Sequence, residues 1–329
     1  MFYTVAMPIY NAAKTLDKSI QAIIDQDEKD YELILVNDGS NDNSLEICHE
    51  WEKRYPDVIR VIDKANSGSL ETRRRCITEA RGDYLYIVDS DDIICNSSAL
   101  KMIRKAIEKS GADMVIFPFV TNDGKRFNFP FENNTVYEGE KLKEIYSVFL
   151  KDFVLNHLWN KVFSRELIDW DNEDDYNVPL TNGTDLYQTI PLISRAEKIL
   201  YVDEVFYQYT FNGSSITHTF KPQIFKSMMT NFERLIKYSR KWTYKPDDYE
   251  FLIRYKLMLI ASTSAAKIRF KNSMTKEELI EFLKAIGENQ DFIDMYTLKG
   301  LEAKRKLILW LLYHKKYNTL IRFMNNKAD

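Results

Sequence analysis

The sequence predicts an α/β protein: a mostly parallel sheet flanked by helices, with a helical C-terminal region. Three observations predict it. Strand-like apolar runs and helix-periodic stretches alternate strictly through the first 120 residues. Polar clusters follow the strands at Pro8-Ile9-Tyr10-Asn11, Asn37-Asp38-Gly39-Ser40 and Asp89-Ser90-Asp91-Asp92. From about Lys221 onward every segment reads as helical, with Pro222 and Pro246 as punctuation.

Thr4 to Met7 is a short apolar run ended by Pro8, hence a strand. Ala12 to Gln26 carries Leu16, Ile20, Ile23 and Ile24 at helical spacing. Glu32 to Val36 is a second strand, and Asn43 to Tyr55 a helix with Leu45, Ile47 and Trp51 inward. Val58 to Ile62 is a third strand. Ser69 to Ala80 is a helix stopped by Arg81-Gly82-Asp83. Tyr84 to Val88, a helix over Ser98 to Lys109, and a strand over Met114 to Phe117 complete the alternation. Right-handed crossovers place the polar clusters on one sheet edge, where open α/β sheets bind ligands. Beyond residue 120 the pattern loosens. Residues 121–137 read as a loop or hairpin, with short strands near 159–163 and 200–209 and helices over 139–151 and 185–195.

A chain of 329 residues has room for about two domains, or one large α/β unit with an appendage. Hydrophobic residues at 45% and charged residues at 29% exclude a disordered or membrane composition. Lysine plus arginine, 46, against aspartate plus glutamate, 49, gives −3, so no nucleic-acid partner is expected. Cys48, Cys76 and Cys95 match neither a disulfide framework nor zinc spacing, which favours a reducing compartment. No basic segment followed by an apolar one opens the chain. The run Leu307 to Tyr313 falls far short of a membrane span. The expected location is the cytoplasm, free or peripheral at the membrane face.

Asp89-Ser90-Asp91-Asp92 packs three carboxylates into four residues at a strand end, which costs energy unless a cation or strong donors neutralise them. Magnesium or manganese suits such oxygen ligands, bound by one or two carboxylates plus substrate phosphates. A solvated acidic turn, or a helix cap from Asp91 or Asp92, is the alternative. Asn37-Asp38-Gly39-Ser40 is a turn whose Ser40, or the following Asn41, can cap the next helix.

Taken in order, Val5-Ala6-Met7-Pro8-Ile9-Tyr10-Asn11, Asn37 through Ser44, Asn66-Ser67-Gly68, Ala80-Arg81-Gly82-Asp83-Tyr84 and Asp89-Ser90-Asp91-Asp92 resemble the family 2 glycosyltransferases. The likeness is strong to about residue 120. It continues more loosely through Leu158-Trp159-Asn160-Lys161-Val162-Phe163 and Gly183-Thr184-Asp185-Leu186. The resemblance implies the GT-A fold, a Rossmann-like sheet, in a catalytic domain over 1–220. Its halves would be 1–120 for the nucleotide-sugar and 121–220 for the acceptor, with 221–329 the helical region. It implies an inverting transfer from a UDP-sugar, Mn2+ or Mg2+ as cofactor, and a glycan, glycolipid or glycoprotein acceptor. In its terms Pro8 and Tyr10 wall the nucleotide pocket and Asp38 accepts from the uracil. Asn66, Gly68, Arg73 and Ser90 lie near the donor, Asp89 holds the ribose, and Asp91 takes the metal.

The family's base is the aspartate of a Glu-Asp pair opening a helix. Asp185 matches it, while Thr184 replaces the glutamate. Read without the resemblance, Asp185 is a first-turn helix acid. The arginine that often follows a tyrosine before Ser-Ile-Thr is missing after Tyr209, and His218, next to Ser215-Ile216-Thr217, is a candidate metal ligand or surface residue. Trp159 and Lys161 are acceptor candidates, or core. A sugar nucleotidyltransferase would show a glycine-rich phosphate loop, and residues 1–20 hold no glycine. A catalytically degenerate partner subunit or glycan-binding module is the other alternative.

Residues 298–329 hold eight lysines and arginines against Glu302 and Asp329, a net of +6. Leucine, isoleucine, tryptophan and phenylalanine interleave with those cations. Such a segment either packs on its own domain or a second subunit, or lies on an anionic membrane.

Overall fold

The computed structural model describes residues 1–168, 178–210, 221–242, 244–270 and 274–325. It divides into two compact units, one of 1–145, 155–178 and 184–211, the other of 146–154, 179–183 and 212–329. The helical unit thus begins before residue 221 and takes in 146–154 and 179–183 as well.

In the first unit β1 (Tyr3–Ile9), β2 (Tyr31–Asp38), β3 (Ile59–Lys64) and β4 (Tyr84–Ile87) are parallel, in the order β3-β2-β1-β4. Helices α1 (Leu16–Ile24), α2 (Ser44–Arg54) and α3 (Ser69–Glu79) connect them, and β5 (Ile93–Ile94) and α4 (Ala99–Ser110) follow. All eight residues of β2 are buried, as expected of a strand covered on both faces. Beyond β4 the sheet changes character. β10 (Lys161–Ser164) runs antiparallel to both β4 and β6 (Met114–Ile116). β11 (Lys198–Tyr201) is parallel to β6, and β9 (Thr135–Glu138) closes the edge antiparallel to β11. The expected strand over 200–209 is two strands. β12 (Tyr207–Tyr209) leaves the main sheet and joins β5, β7 (Phe119–Thr121) and β8 (Arg126–Phe127) in a second sheet.

The first helix begins at Leu16 rather than Ala12 because the preceding amides are engaged elsewhere. Ala12 N donates to Ser44 Oγ at 2.9 Å and Ala13 N to Asp42 Oδ2 at 3.1 Å. Asn11 N donates to Ser40 Oγ and Asn41 N to Asn11 Oδ1, so the loops after β1 and β2 are laced together.

Ala80-Arg81-Gly82-Asp83 lies at the other end of these strands. Gly82 N and Arg81 N donate to Thr4 Oγ1, which itself donates to Glu32 Oε1. A Cβ on Gly82 would lie 2.3 Å from Thr4 N and Tyr3 C. This part of the sequence pattern serves packing. Gly82→Val should destabilise the protein by about 3 kcal/mol or more, since backbone has to move to admit it. Urea denaturation checks this, and an unchanged midpoint would refute the close packing.

The second unit holds α7 (Ile224–Ser239), α8 (Pro246–Ala266), α9 (Lys276–Gly287), α10 (Gln290–Asp294), α11 (Ala303–Tyr313) and α12 (Tyr317–Asn325). Lys256 of α8 is fully buried and donates to Phe149 O and Asp152 O, which ties 146–154 to these helices. Burial pulls its ammonium down to about 7. Among the described residues, no helix is long and apolar enough to cross a membrane.

Candidate active site

The parallel register brings the ends of β1, β2, β3 and β4 to one edge, where Ile9 stands beside Asn37 and Asp38 beside Lys64. Asp38 ends β2 and is buried. Its Oδ1 accepts from Ser67 N at 2.9 Å and from the Lys64 ammonium, and its Oδ2 from Gly68 N at 3.0 Å. Gly39, at φ +63°, lets the chain turn here, and a side chain on it would meet Asn66 N at 2.8 Å. Asn66 and Gly68 are exposed at this rim. A carboxylate offers about four lone-pair positions. Oδ2, with one protein donor, keeps a place for a ligand N–H. Pro8 is half-buried within β1, and Tyr10 is 50% exposed at the mouth.

The acidic tetrapeptide sorts into different roles. Ser90 O accepts from Thr15 Oγ1 at 2.9 Å and Ser19 Oγ at 3.1 Å, which pins the tetrapeptide to α1. Asp92 is fully buried and turned into the protein. Its Oδ2 accepts from the Tyr207 hydroxyl at 2.7 Å and its Oδ1 from Thr210 N at 2.6 Å. Burial, with the charges of Asp89 and Asp91, pushes its carboxyl up to about 8.

Asp89 meets the base candidate through one guanidinium. Arg73, buried on α3, places Nη2 3.0 Å from Asp89 Oδ1 and Nη1 2.5 Å from Asp185 Oδ1. Nη1 also donates to Thr184 Oγ1 at 3.1 Å, so a neutral hydroxyl occupies the place of the family's glutamate. Asp185 opens α6 (Thr184–Arg195). His157, which sequence reasoning missed, lies with Nδ1 3.9 Å from Asp185 Oδ2. Burial works against the Asp185 charge, but Arg73 and His157 outweigh it and hold the carboxyl at about 2. A histidine two residues before Trp159 was the available signal.

Trp159 and Lys161 belong to the interior, not to an acceptor groove. Trp159 is 3% exposed and stacks on His157 at 4.5 Å and Tyr207 at 4.6 Å, so no sugar reaches its ring. Lys161 is fully buried. Its Nζ donates to Leu155 O, His157 O and Asn160 Oδ1 and so holds the loop that carries His157. Burial draws its ammonium down to about 7, against the pull of Asp185. His218 lies outside the described residues.

Among the described residues no group of three or more histidines, cysteines and carboxylates converges as a metal cage. A hard divalent ion does not need one: it binds through one or two carboxylates and takes phosphate and water oxygens for the rest. Half-buried Asp91, beside Asp89 at a strand end, fits that donor set.

The mixed sheet with its parallel polar edge, flanked by helices, has the architecture of the GT-A glycosyltransferases. Residues 4–169, just over half the chain, match the family described as glycosyl transferase family 2, and the chain belongs to it. It is 28% identical over 312 residues to the cholesterol galactosyltransferase of Borreliella burgdorferi, covering 89% of this chain and 85% of that one. The structure of residues 1–349 of S. aureus TarS with UDP-GlcNAc superimposes with a TM-score of 0.72 at 19% identity, covering 99% of this chain and 91% of that one. A mannosyltransferase from Pyrobaculum calidifontis, solved with GDP-Man and Mn2+, gives 0.52 at 14% identity, covering 99% and 87%.

Proposed function

We propose that this glycosyltransferase moves a hexose or N-acetylhexosamine from a UDP-sugar to a hydroxyl of a surface glycoconjugate, with inversion and with a divalent metal. The acceptor class is a polysaccharide, teichoic acid, glycolipid or glycoprotein glycan. The observation that carries this reading is the single guanidinium of Arg73 shared by Asp89 and Asp185. It couples the carboxylate expected to hold the ribose to the one expected to take the acceptor's proton. The UDP-GlcNAc held by the TarS fragment supports a uridine donor, and the Mn2+ of the mannosyltransferase supports a metal. The galactosyltransferase relative supports a hexose, and its name supports a lipid acceptor.

Asp38 Oδ2 accepts from the uracil, Tyr10 covers the base, and Asp89 binds the ribose. Asp185 removes the acceptor proton as the hydroxyl oxygen attacks the anomeric carbon and UDP leaves. Asp91 would hold the metal, which when bound neutralises charge on the departing diphosphate. Catalytic residues on this edge all come from the first unit, and the catalytic domain we propose is 1–220 with 221–329 as its helical region.

UDP release from a panel of UDP-sugars tests the reading. Release is expected with Mn2+ or Mg2+, to stop with EDTA, and to return with excess metal. Asp91→Ala should lower it by about 100-fold or more together with donor binding. Full release by Asp91→Ala, or no release from any UDP-sugar, would refute it.

A further inference from the structure

Helix α11 is apolar on two sides, and packing accounts for one. Ile308, Leu309, Leu311 and Leu312 are buried in the helical unit. On the other side Leu307, Trp310 and Tyr313 recur every three residues and form one exposed stripe, at 39%, 43% and 39%. Tyr296 stacks on Tyr313 at 4.0 Å, and Ile293, three residues earlier, is exposed as well. Four of the seven large hydrophobic side chains exposed among the described residues therefore fall in this one part of the chain. A scattered exposed leucine needs no explanation, but a contiguous aromatic stripe does.

The stripe is framed by cations. Lys306 falls within its arc on the helix, and Lys304, Lys315 and Lys316 are exposed around it. Between residues 298 and 325 the only carboxylate is Glu302. Carboxylates on the neighbouring elements are Asp247, Asp248 and Glu250 of α8, Glu277, Glu278 and Glu281 of α9, Asp291 and Asp294 of α10, and Glu288, 3.5 Å from Lys315.

We propose that this face of α11 seats the enzyme on an anionic lipid surface. Trp310 and Tyr313 present an apolar body and a polar tip, the combination that settles at headgroup depth. Leu307 adds apolar area, and the lysines meet acidic headgroups while their stems lie along the apolar surface. A second copy of the chain is the poorer occupant. A two-fold contact would set this basic face against itself, and lysine is depleted in protein interfaces.

Flotation with phosphatidylcholine vesicles, with and without phosphatidylglycerol, tests the surface independently of the transfer chemistry. Binding is expected only with phosphatidylglycerol, and it should weaken in high salt. The pair Leu307→Ser/Trp310→Ser and the pair Lys304→Gln/Lys306→Gln should each reduce binding about tenfold or more, with UDP release in solution and the circular dichroism spectrum unchanged. No flotation of the wild-type protein at low salt, or undiminished flotation of both variants, overturns the proposal. So does a dimer without vesicle binding that Leu307→Ser/Trp310→Ser dissociates.

Discussion

Asp185→Asn is expected to lower the transfer rate by about 10³-fold while donor affinity stays within about threefold of wild type. Asparagine keeps the size of the side chain and an oxygen for Arg73, but it cannot take a proton. The carboxylate is held at about 2, because Arg73 and His157 outweigh burial. A group held so low accepts a proton reluctantly. Arg73, however, is shared with Asp89. Its guanidinium charge is thus divided between two carboxylates. Turnover with acceptor, set beside donor affinity from calorimetry, checks this. Near-normal turnover would remove Asp185 from the role of base. The same shift acts on stability. The folded value lies below the ordinary carboxylate value near 4, so the contribution is complete above about pH 4. It is lost as pH falls from about 4 to about 2, and the asparagine variant should lack this part of the acid transition.

Arg73→Met should cost both activity and fold. It leaves Asp89 and Asp185 as two partly buried carboxylates without the cation between them, and breaking such a pair costs about 3–5 kcal/mol. Transfer should fall by about 10³-fold as both carboxylates lose position. Arg73→Lys should retain part of each, since an ammonium is a point charge where the guanidinium forks to two partners. Urea midpoints and UDP-release rates read both effects. A methionine variant with wild-type stability and rate would contradict the bridging role.

The first four strands were legible because each is a short buried run punctuated by turn residues, a purely local signal. The polar edge followed from their parallel order. Arg73 and Asp185 were each legible as candidates, but their pairing was not, because Arg73 on α3 meets Asp185 only after the chain has returned past β10. Lys64 was missed although it stands at the end of β3, opposite Asp38 in register. That pairing appears only once strand order is known. Trp159 and Lys161 look alike in sequence whether they face a groove or a core. The stack His157–Trp159–Tyr207 decides between the two, and it joins three segments distant in sequence. The strand expected over 200–209 divides because β12 pairs with β5, so that Tyr207 reaches Asp92.

The lacing of Asp38 to Ser67 and Gly68 bears on how a donor is recognised. Its partners are two backbone amides and a lysine that itself holds Ser67 Oγ. The carboxylate proposed to meet the base is thus already in place, and on that proposal little protein freedom remains to be lost at that end of the ligand. Two of the donors to Asp38 are main-chain amides, those of Ser67 and Gly68, and not side-chain groups. On the proposed reading, sugar preference can then change without disturbing the fixed carboxylate that meets the nucleoside.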